Sequence, residues 1–336
     1  MKPLIAESPD VQILRSLLKD GTNFQSGQEL ASQLGMSRVA IWKRLVNLRK
    51  KGIEIEAVRR KGYRLQSLPD YATETGIFAH LPGNSGLAQL TLLESTKSTN
   101  DEVQRSLAHG ETTPLACITR RQPGGKGRRG RSWSGDQEGN IYASLGFRPD
   151  IHPRQMSLLP IWSGLRLCAR ITKLTDLKIR LKWPNDLLIE GKKVAGMLAE
   201  STVETDRITS LIFGVGINVN LSEEQIPPEL RKQATSLAVA AGHTFSLDPL
   251  IAAVIEELLT AMRECVHGID EDVLADEWEK YACYLREPVH VIESNDSIHE
   301  GKMVGIDRAG CLLLRDSSGR LLSYHSGDVS LRASKQ

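Results

Sequence analysis

Between residues 11 and 48, three short apolar stripes are separated by residues that start and stop helices, and this punctuation leaves few ways to pack the segment. Val11, Ile13, Leu14, Leu17 and Leu18 recur at helical spacing up to Gly21. Ser26-Gly-Gln-Glu29 then supplies a capping hydroxyl with a carboxylate three residues on, ahead of Leu30, Ala31 and Leu34. Gly35 turns the chain, Ser37 caps a third helix, and Ile41, Leu45 and Leu48 form that helix's buried stripe. Short helices joined by such tight turns bury their stripes only against one another, which is the grammar of a helix-turn-helix.

The third helix carries Arg38, Lys43, Arg44, Arg49 and Lys50, with Arg38 in the first turn, where a recognition helix meets bases and phosphates. Beyond it, Ile53–Val58 and Tyr63–Leu65 flank Arg59-Arg-Lys-Gly62, a hairpin with a basic tip that reads as a wing. Ser37, Arg38, Lys43, Arg44, Arg59, Arg60 and Lys61 are the expected DNA contacts. Whole-chain charge gives no such signal: 43 Lys and Arg against 41 Asp and Glu leave +2, so the argument rests on local clustering. Proline and polar residues at Gln66–Asp70 break the pattern, and the first domain is expected to span residues 1–66.

The next segment contains Gly124-Gly-Lys-Gly-Arg-Arg-Gly-Arg-Ser-Trp133, with strand-like Leu115–Thr119 before it and Asn140–Phe147 after it. Glycines let backbone N–H groups approach a ligand, and Lys126, Arg128, Arg129 and Arg131 suit a phosphate. The plain alternative is a disordered basic tract, but the flanking strands favour a loop. Glu94–Asn100 ends a strand in hydroxyls and an amide that suit a small polar ligand, although Thr99 or Asn100 would serve equally as helix caps. Lys182 interrupts the apolar stretch Ile179–Ile189, and burying an unpaired ammonium is costly, so contact with a phosphate or carboxylate is preferred over a snorkelling lysine. Gly191–Gly196 adds Lys193, and Phe213–Asn220 brings Gly214, Gly216 and the amide of Asn218, which read either as close approach to a ligand or as a crowded strand. Neither a P-loop nor a strand–GxGxxG–helix unit is present.

The series Ser98-Thr-Asn100, Gly125–Trp133, Lys182-Trp-Pro-Asn-Asp186, Lys193–Gly196 and Gly214–Asn218 closely resembles the biotin–protein ligases (biotin–[acetyl-CoA-carboxylase] ligases). The amino-terminal module adds a resemblance to their bifunctional form, which also represses the biotin operon. The resemblance spans nearly the whole chain, with one departure: Lys126 stands where the family's loop has arginine, keeping the charge but not the planar fork.

That resemblance implies a reaction in two steps. The carboxylate of biotin attacks the α-phosphate of ATP, giving biotinyl-5′-adenylate and diphosphate; a lysine amine of the biotin carboxyl carrier protein then attacks the mixed anhydride. Lys182 and Arg128 would be catalytic, Lys182 on the carboxylate and α-phosphate and Arg128 holding the adenylate. Ser98, Thr99, Asn100 and Gln122 would bind biotin, with Gly125, Lys126, Gly127, Gly196, Gly214 and Gly216 beside it. Arg129, Arg131, Trp133 and Asn218 would serve the nucleotide, with Trp133 closing on the adenine side. Mg²⁺ would accompany ATP, without an identified ligand set; Asp186 is a metal-proximal or, preferably, a structural carboxylate. Operator DNA and a homodimer of the adenylate-bound chain complete the implied partners. A catalytically silent biotin-sensing regulator and a lipoate-type ligase are the alternatives.

A helix over Pro249–Glu264 precedes short strands at Pro288–Ile292, Ile298–Val304, Cys311–Arg315 and Leu321–Tyr324, which suggest a small barrel and match the family's SH3-like end domain. The expected fold is α+β: a winged helix-turn-helix, a central mixed-sheet ligase domain over 67–284 with helices, and the barrel over 285–336. Cys117, Cys168, Cys265, Cys283 and Cys311 lack metal or disulfide spacing and read as buried thiols. No apolar run approaches the roughly 20 residues of a membrane span, and the first eight residues lack a leader's apolar core, so no membrane contact and a cytoplasmic location are expected.

Overall fold

In the computed structural model, which describes residues 8–293, 297–325 and 329–333, the amino-terminal segment forms α1 (Pro9–Asp20), α2 (Gly27–Gln33), α3 (Arg38–Lys50) and the antiparallel pair β1 (Glu54–Val58) and β2 (Gly62–Ser67). The capping chemistry is present as hydrogen bonds. Ser26 Oγ accepts from Glu29 N–H at 3.1 Å while Glu29 Oε2 accepts from Ser26 N–H at 2.8 Å, and Ser37 Oγ accepts from Ala40 N–H at 3.1 Å. Val11, Leu14, Leu17, Leu30, Ile41, Leu45 and Leu48 are buried together. The wing is pinned to the start of α2: Gln25 and Tyr63 exchange two backbone hydrogen bonds of 2.8 Å. Gly62, at φ 114°, lies so close to the Gln25 carbonyl that a Cβ would collide with it, so this hairpin position requires glycine. The reading of the amino terminus as lacking a leader falls on residues of which 1–7 lie outside the described ones.

A short helix, α4 (Glu74–His80), joins this module to the rest. Arg15 of α1 donates to the carbonyls at its carboxy end, Phe78 at 2.7 Å and Leu81 at 3.0 Å.

The central part follows as β3 (Gln89–Ser95), α5 (Thr99–Ala108), β4 (Leu115–Arg121), β5 (Gly125–Lys126), β6 (Ser132–Trp133), β7 (Ile141–Phe147), α6 (Leu159–Thr175), β8 (Arg180–Lys182), β9 (Asp186–Ile189), β10 (Lys192–Glu204), β11 (Arg207–Ile217), α7 (Leu237–Ala241), α8 (Leu247–His267) and α9 (Glu271–Tyr281). Seven of the strands make one sheet in the order β3-β4-β7-β11-β10-β9-β8, parallel at β3–β4 and antiparallel elsewhere, hence mixed as expected. Alternation of side chains puts Ser144, Gly146, Gly196, Gly214 and Gly216 on one face, toward α5, and Leu181 and Met197 on the other, against Gly164 of α6. The face toward α5 carries the polar and cationic residues described next.

The carboxy-terminal part has β12 (Pro288–Glu293), β13 (Ile298–Ile306), β14 (Leu312–Arg315), β15 (Leu321–Tyr324) and β16 (Val329–Ala333), an antiparallel sheet in the order β15-β14-β13-β12-β16. All five cysteines are buried and free. Among the described residues, no helix is long and apolar enough to cross a membrane.

Candidate functional site

A chain of hydrogen bonds runs across the sheet face beneath the start of α5. Thr99 N–H donates to Gln122 Oε1 at 2.7 Å, Thr99 Oγ1 and Ser144 Oγ are 2.6 Å apart, Ser144 Oγ donates to Asn100 Oδ1 at 2.6 Å, and Asn100 Nδ2 donates to Glu200 Oε2 at 2.5 Å. Ser98, Thr99, Asn100, Gln122 and Ser144 are all buried, so the array is fixed before any ligand arrives. The capping alternative for Thr99 and Asn100 does not hold. Ser98 is the N-cap of α5, without a side-chain cap bond, and the two following side chains turn into the array. Ser144 was not read from the sequence; its signal is a lone serine among the apolar and aromatic side chains of Ile141–Phe147.

The basic run closes as a small hairpin. Gly125 pairs with Trp133 and Lys126 with Ser132, Gly127 N–H donates to Arg131 O at 2.7 Å, and Arg129 takes the left-handed φ of 57° at the tip. Arg128 is half-buried and donates to Asn185 Oδ1 at 3.1 Å; burial pushes its guanidinium below the ordinary value, opposed by the nearby Asp186 carboxylate. Arg129 and Arg131 are exposed at the rim. Lys126 is tied by an ion pair to Asp101 on α5, a hydrogen bond that raises its pKa.

Lys182 ends β8 and pairs in register with Asp186 at the start of β9, so the intervening Trp183, Pro184 and Asn185 form a tight connection. Trp183 is 1% exposed and its Nε1 donates to Gly310 O at 3.0 Å, which fastens this hairpin, and with it Lys182, to the carboxy-terminal part. Asn185 Nδ2 donates to Met197 O at 2.6 Å, and Asp186 pairs with Lys193 at 2.7 Å.

Trp133 packs against the glycine floor. A Cβ on Gly216 would come within 2.5 Å of its ring, and one on Gly196 within 2.9 Å. Lys193 Nζ stands 5.2 Å from the ring centroid, and Trp133 Nε1 is buried without a hydrogen-bond partner. The indole therefore sits over the glycines expected on the biotin side rather than apart from them. Gly214 is crowded by Asn100, whose Oδ1 and Cγ a Cβ there would meet. Both glycine alternatives thus have a concrete protein neighbour.

One cavity gathers Ser98, Thr99, Asn100, Gln122, Lys126, Gly127, Arg128, Arg129, Arg131, Trp133, Lys182, Gly196, Gly214 and Gly216. Two expected residues lie outside its lining. Gly125 packs behind it against Gln122, and Asn218 spends its amide on Thr235 O at 3.0 Å. Asn185, Asp186 and Lys193 line it as well. Among the described residues no cluster of three or more His, Cys, Asp or Glu can hold a metal, and Asp186, the acidic side chain in the lining, is engaged by Lys193.

In the amino-terminal module, Arg38, Arg59, Arg60 and Lys61 line a groove between α3 and the wing. Lys43 is exposed on α3. Arg44 departs from this set, turning toward Asp10 of α1 at 3.5 Å, and the Ser37 hydroxyl oxygen is engaged as the cap of α3.

A cation-ringed cavity with a fixed polar array, carried on a mixed α+β sheet and joined to a winged helix, defines an enzyme that handles anionic groups and is fused to a DNA-binding module. Residues 92–218 match the biotin/lipoate A/B protein ligase family, residues 11–64 an HTH domain, and residues 285–332 the biotin protein ligase C-terminal domain. The chain is 35% identical over 320 residues to the bifunctional ligase/repressor BirA of Bacillus subtilis, covering 93% of this chain and 95% of that protein. It is 32% identical over 326 residues to that of Escherichia coli, covering 96% and 97%. The structure of the biotin protein ligase from Aquifex aeolicus in complex with biotin and ATP is similar at a TM-score of 0.60 and 29% identity, covering 74% of this chain and 99% of that one. The chain belongs to the biotin–protein ligase family, in its bifunctional ligase/repressor branch.

Proposed function

We propose that this protein joins biotin to a lysine of the biotin carboxyl carrier protein at the expense of ATP, and that its adenylate-bound form represses biotin synthesis by binding operator DNA. The observation that carries the reading is the meeting, in one cavity, of a neutral hydrogen-bonding array and a cationic hairpin with Lys182. The array suits an uncharged ureido head group, with Ser98, Thr99, Asn100 and Gln122 as its binding residues. The cations suit the carboxylate and the phosphates.

No side chain in the lining needs to act as a nucleophile, because the biotin carboxylate supplies the attacking oxygen and diphosphate leaves. Catalysis then rests on orientation and on neutralising charge as the α-phosphorus is attacked. Lys182 meets the carboxylate and α-phosphate, and Arg128, tied to Asn185 of the same hairpin, holds the adenylate until the carrier lysine attacks its acyl carbon and AMP departs. Arg129 and Arg131 at the rim meet the outer phosphates. Any Mg²⁺ arrives with the nucleotide. The Trp133 indole covers Gly196 and Gly216, so a biotin ring reaches that floor as Trp133 and its hairpin lift from it.

The carboxy-terminal sheet is read as an SH3-like barrel that steadies Lys182 through Trp183. The three domains are taken as 1–66, 67–284 and 285–336. The repressing form is taken as a homodimer of the adenylate-bound chain, acting in the cytoplasm.

The test is transfer of labelled biotin to purified carrier protein with ATP, in competition with unlabelled biotin or lipoate. Competition by biotin alone is expected. Equal competition by lipoate would move the protein to the lipoate ligases.

A further inference from the structure

The outward face of α3 carries an apolar strip among its cations, where a solvated helix is ordinarily polar. Val39 and Trp42 are 63% and 54% exposed, and with the half-buried Val46 they recur at i, i+3 and i+7, on the side away from Ile41, Leu45 and Leu48. The patch opens into the groove between α3 and the wing, whose lining contains Arg38, Arg59, Arg60 and Lys61 and, among the described residues, no acidic side chain. The groove's width is set in advance. Gln25 and Tyr63 lock the wing to α2, and Arg49 of α3 donates to Ile55 O of β1 at 2.7 and 3.0 Å.

An apolar strip bordered by cations and free of anions matches a particular surface. The phosphates of a duplex flank its major groove, and the one apolar group displayed on the groove's base edges is the C5-methyl of thymine. We infer that Val39 and Trp42 select the operator by apolar contact with thymine methyl groups, while Arg38 and the wing cations bind the backbone. The inference rests on the DNA-binding reading of this module. It adds sequence discrimination, which phosphate contacts do not supply.

The test starts from a random pool of duplex DNA selected with the full chain in the presence of biotin and ATP. Thymines of the selected duplex are then replaced one at a time by deoxyuridine, which removes only the methyl. The parent protein should lose about three- to tenfold in affinity at one or two positions, the scale of a buried methyl. Trp42→Ala should bind the thymine duplex more weakly and be indifferent to the replacement; Lys61→Ala should weaken both duplexes alike. Circular dichroism checks that both variants keep their helices.

Equal binding of thymine and uracil duplexes by the parent would overturn the inference. So would a Trp42→Ala variant that keeps DNA affinity but loses self-association, since the patch would then be a contact between copies of the chain. A pool that yields no bound duplex would overturn the DNA-binding reading itself.

Discussion

At the scale of single residues, the site depends on glycines that admit the protein's own side chains. Asn100 reaches Ser144 and Glu200 because Gly214 leaves room for its amide. Gly214→Ala should therefore cost about 1–3 kcal/mol of stability by overpacking, and weaken biotin binding as Asn100 leaves the array. Thermal denaturation and biotin titration calorimetry check this; a variant with the parent's Tm and Kd would show that the close approach has no consequence. Much of the site was legible residue by residue. Ser98 and Thr99 read as hydroxyls at a strand end, Lys182 as a cation in an apolar stretch and Arg128 as part of a basic glycine run, while Gln122 came only with the family resemblance; the structure brings all five to one cavity. Asn218 and Arg44 were not, because a sequence does not show that Thr235 O or Asp10 takes the group first.

At the scale of elements, the helix that joins the modules is anchored on its central side by a buried carboxylate. Thr73, the N-cap of α4, donates its N–H and hydroxyl to Asp248 of α8 at 2.8 and 2.9 Å. Burial raises Asp248 from the ordinary 3.8 to about 6, against the pull of the Thr73 hydrogen bonds. The native carboxyl thus keeps its proton across a window in which the unfolded one has lost it, so this group's contribution to stability falls as pH rises from about 4 to about 6 and is level above. Asp248→Asn lacks that loss. Its stability relative to the parent should rise by on the order of 2–3 kcal/mol between those limits, measured as the difference in urea midpoints at acidic and neutral pH. A pH-independent difference would contradict the assignment. Elements with a one-sided apolar period, such as α1, α3 and α8, were legible. Strand β16 was missed because only its backbone pairing with β12, across more than 30 residues of chain, reveals it.

At the scale of the whole molecule, three parts with separate sequence signatures are linked at identifiable points. Arg15 and Asp248 both grip α4, from the DNA-binding and central sides, and Trp183 reaches Gly310 from the hairpin that carries Lys182. The order of the parts was readable from helix caps, the basic glycine run and the spacing of short strands. The linkages were not, since each joins residues far apart in sequence through one to three hydrogen bonds. The central claim is that the cavity builds an acyl adenylate with Lys182 at the reacting groups. Isotope exchange between labelled diphosphate and ATP reports that step alone, without carrier protein or DNA. Exchange should require biotin in the parent and fall by at least about a hundredfold in Lys182→Ala, whose circular dichroism should match the parent's. Exchange at the parental rate in that variant would contradict the account.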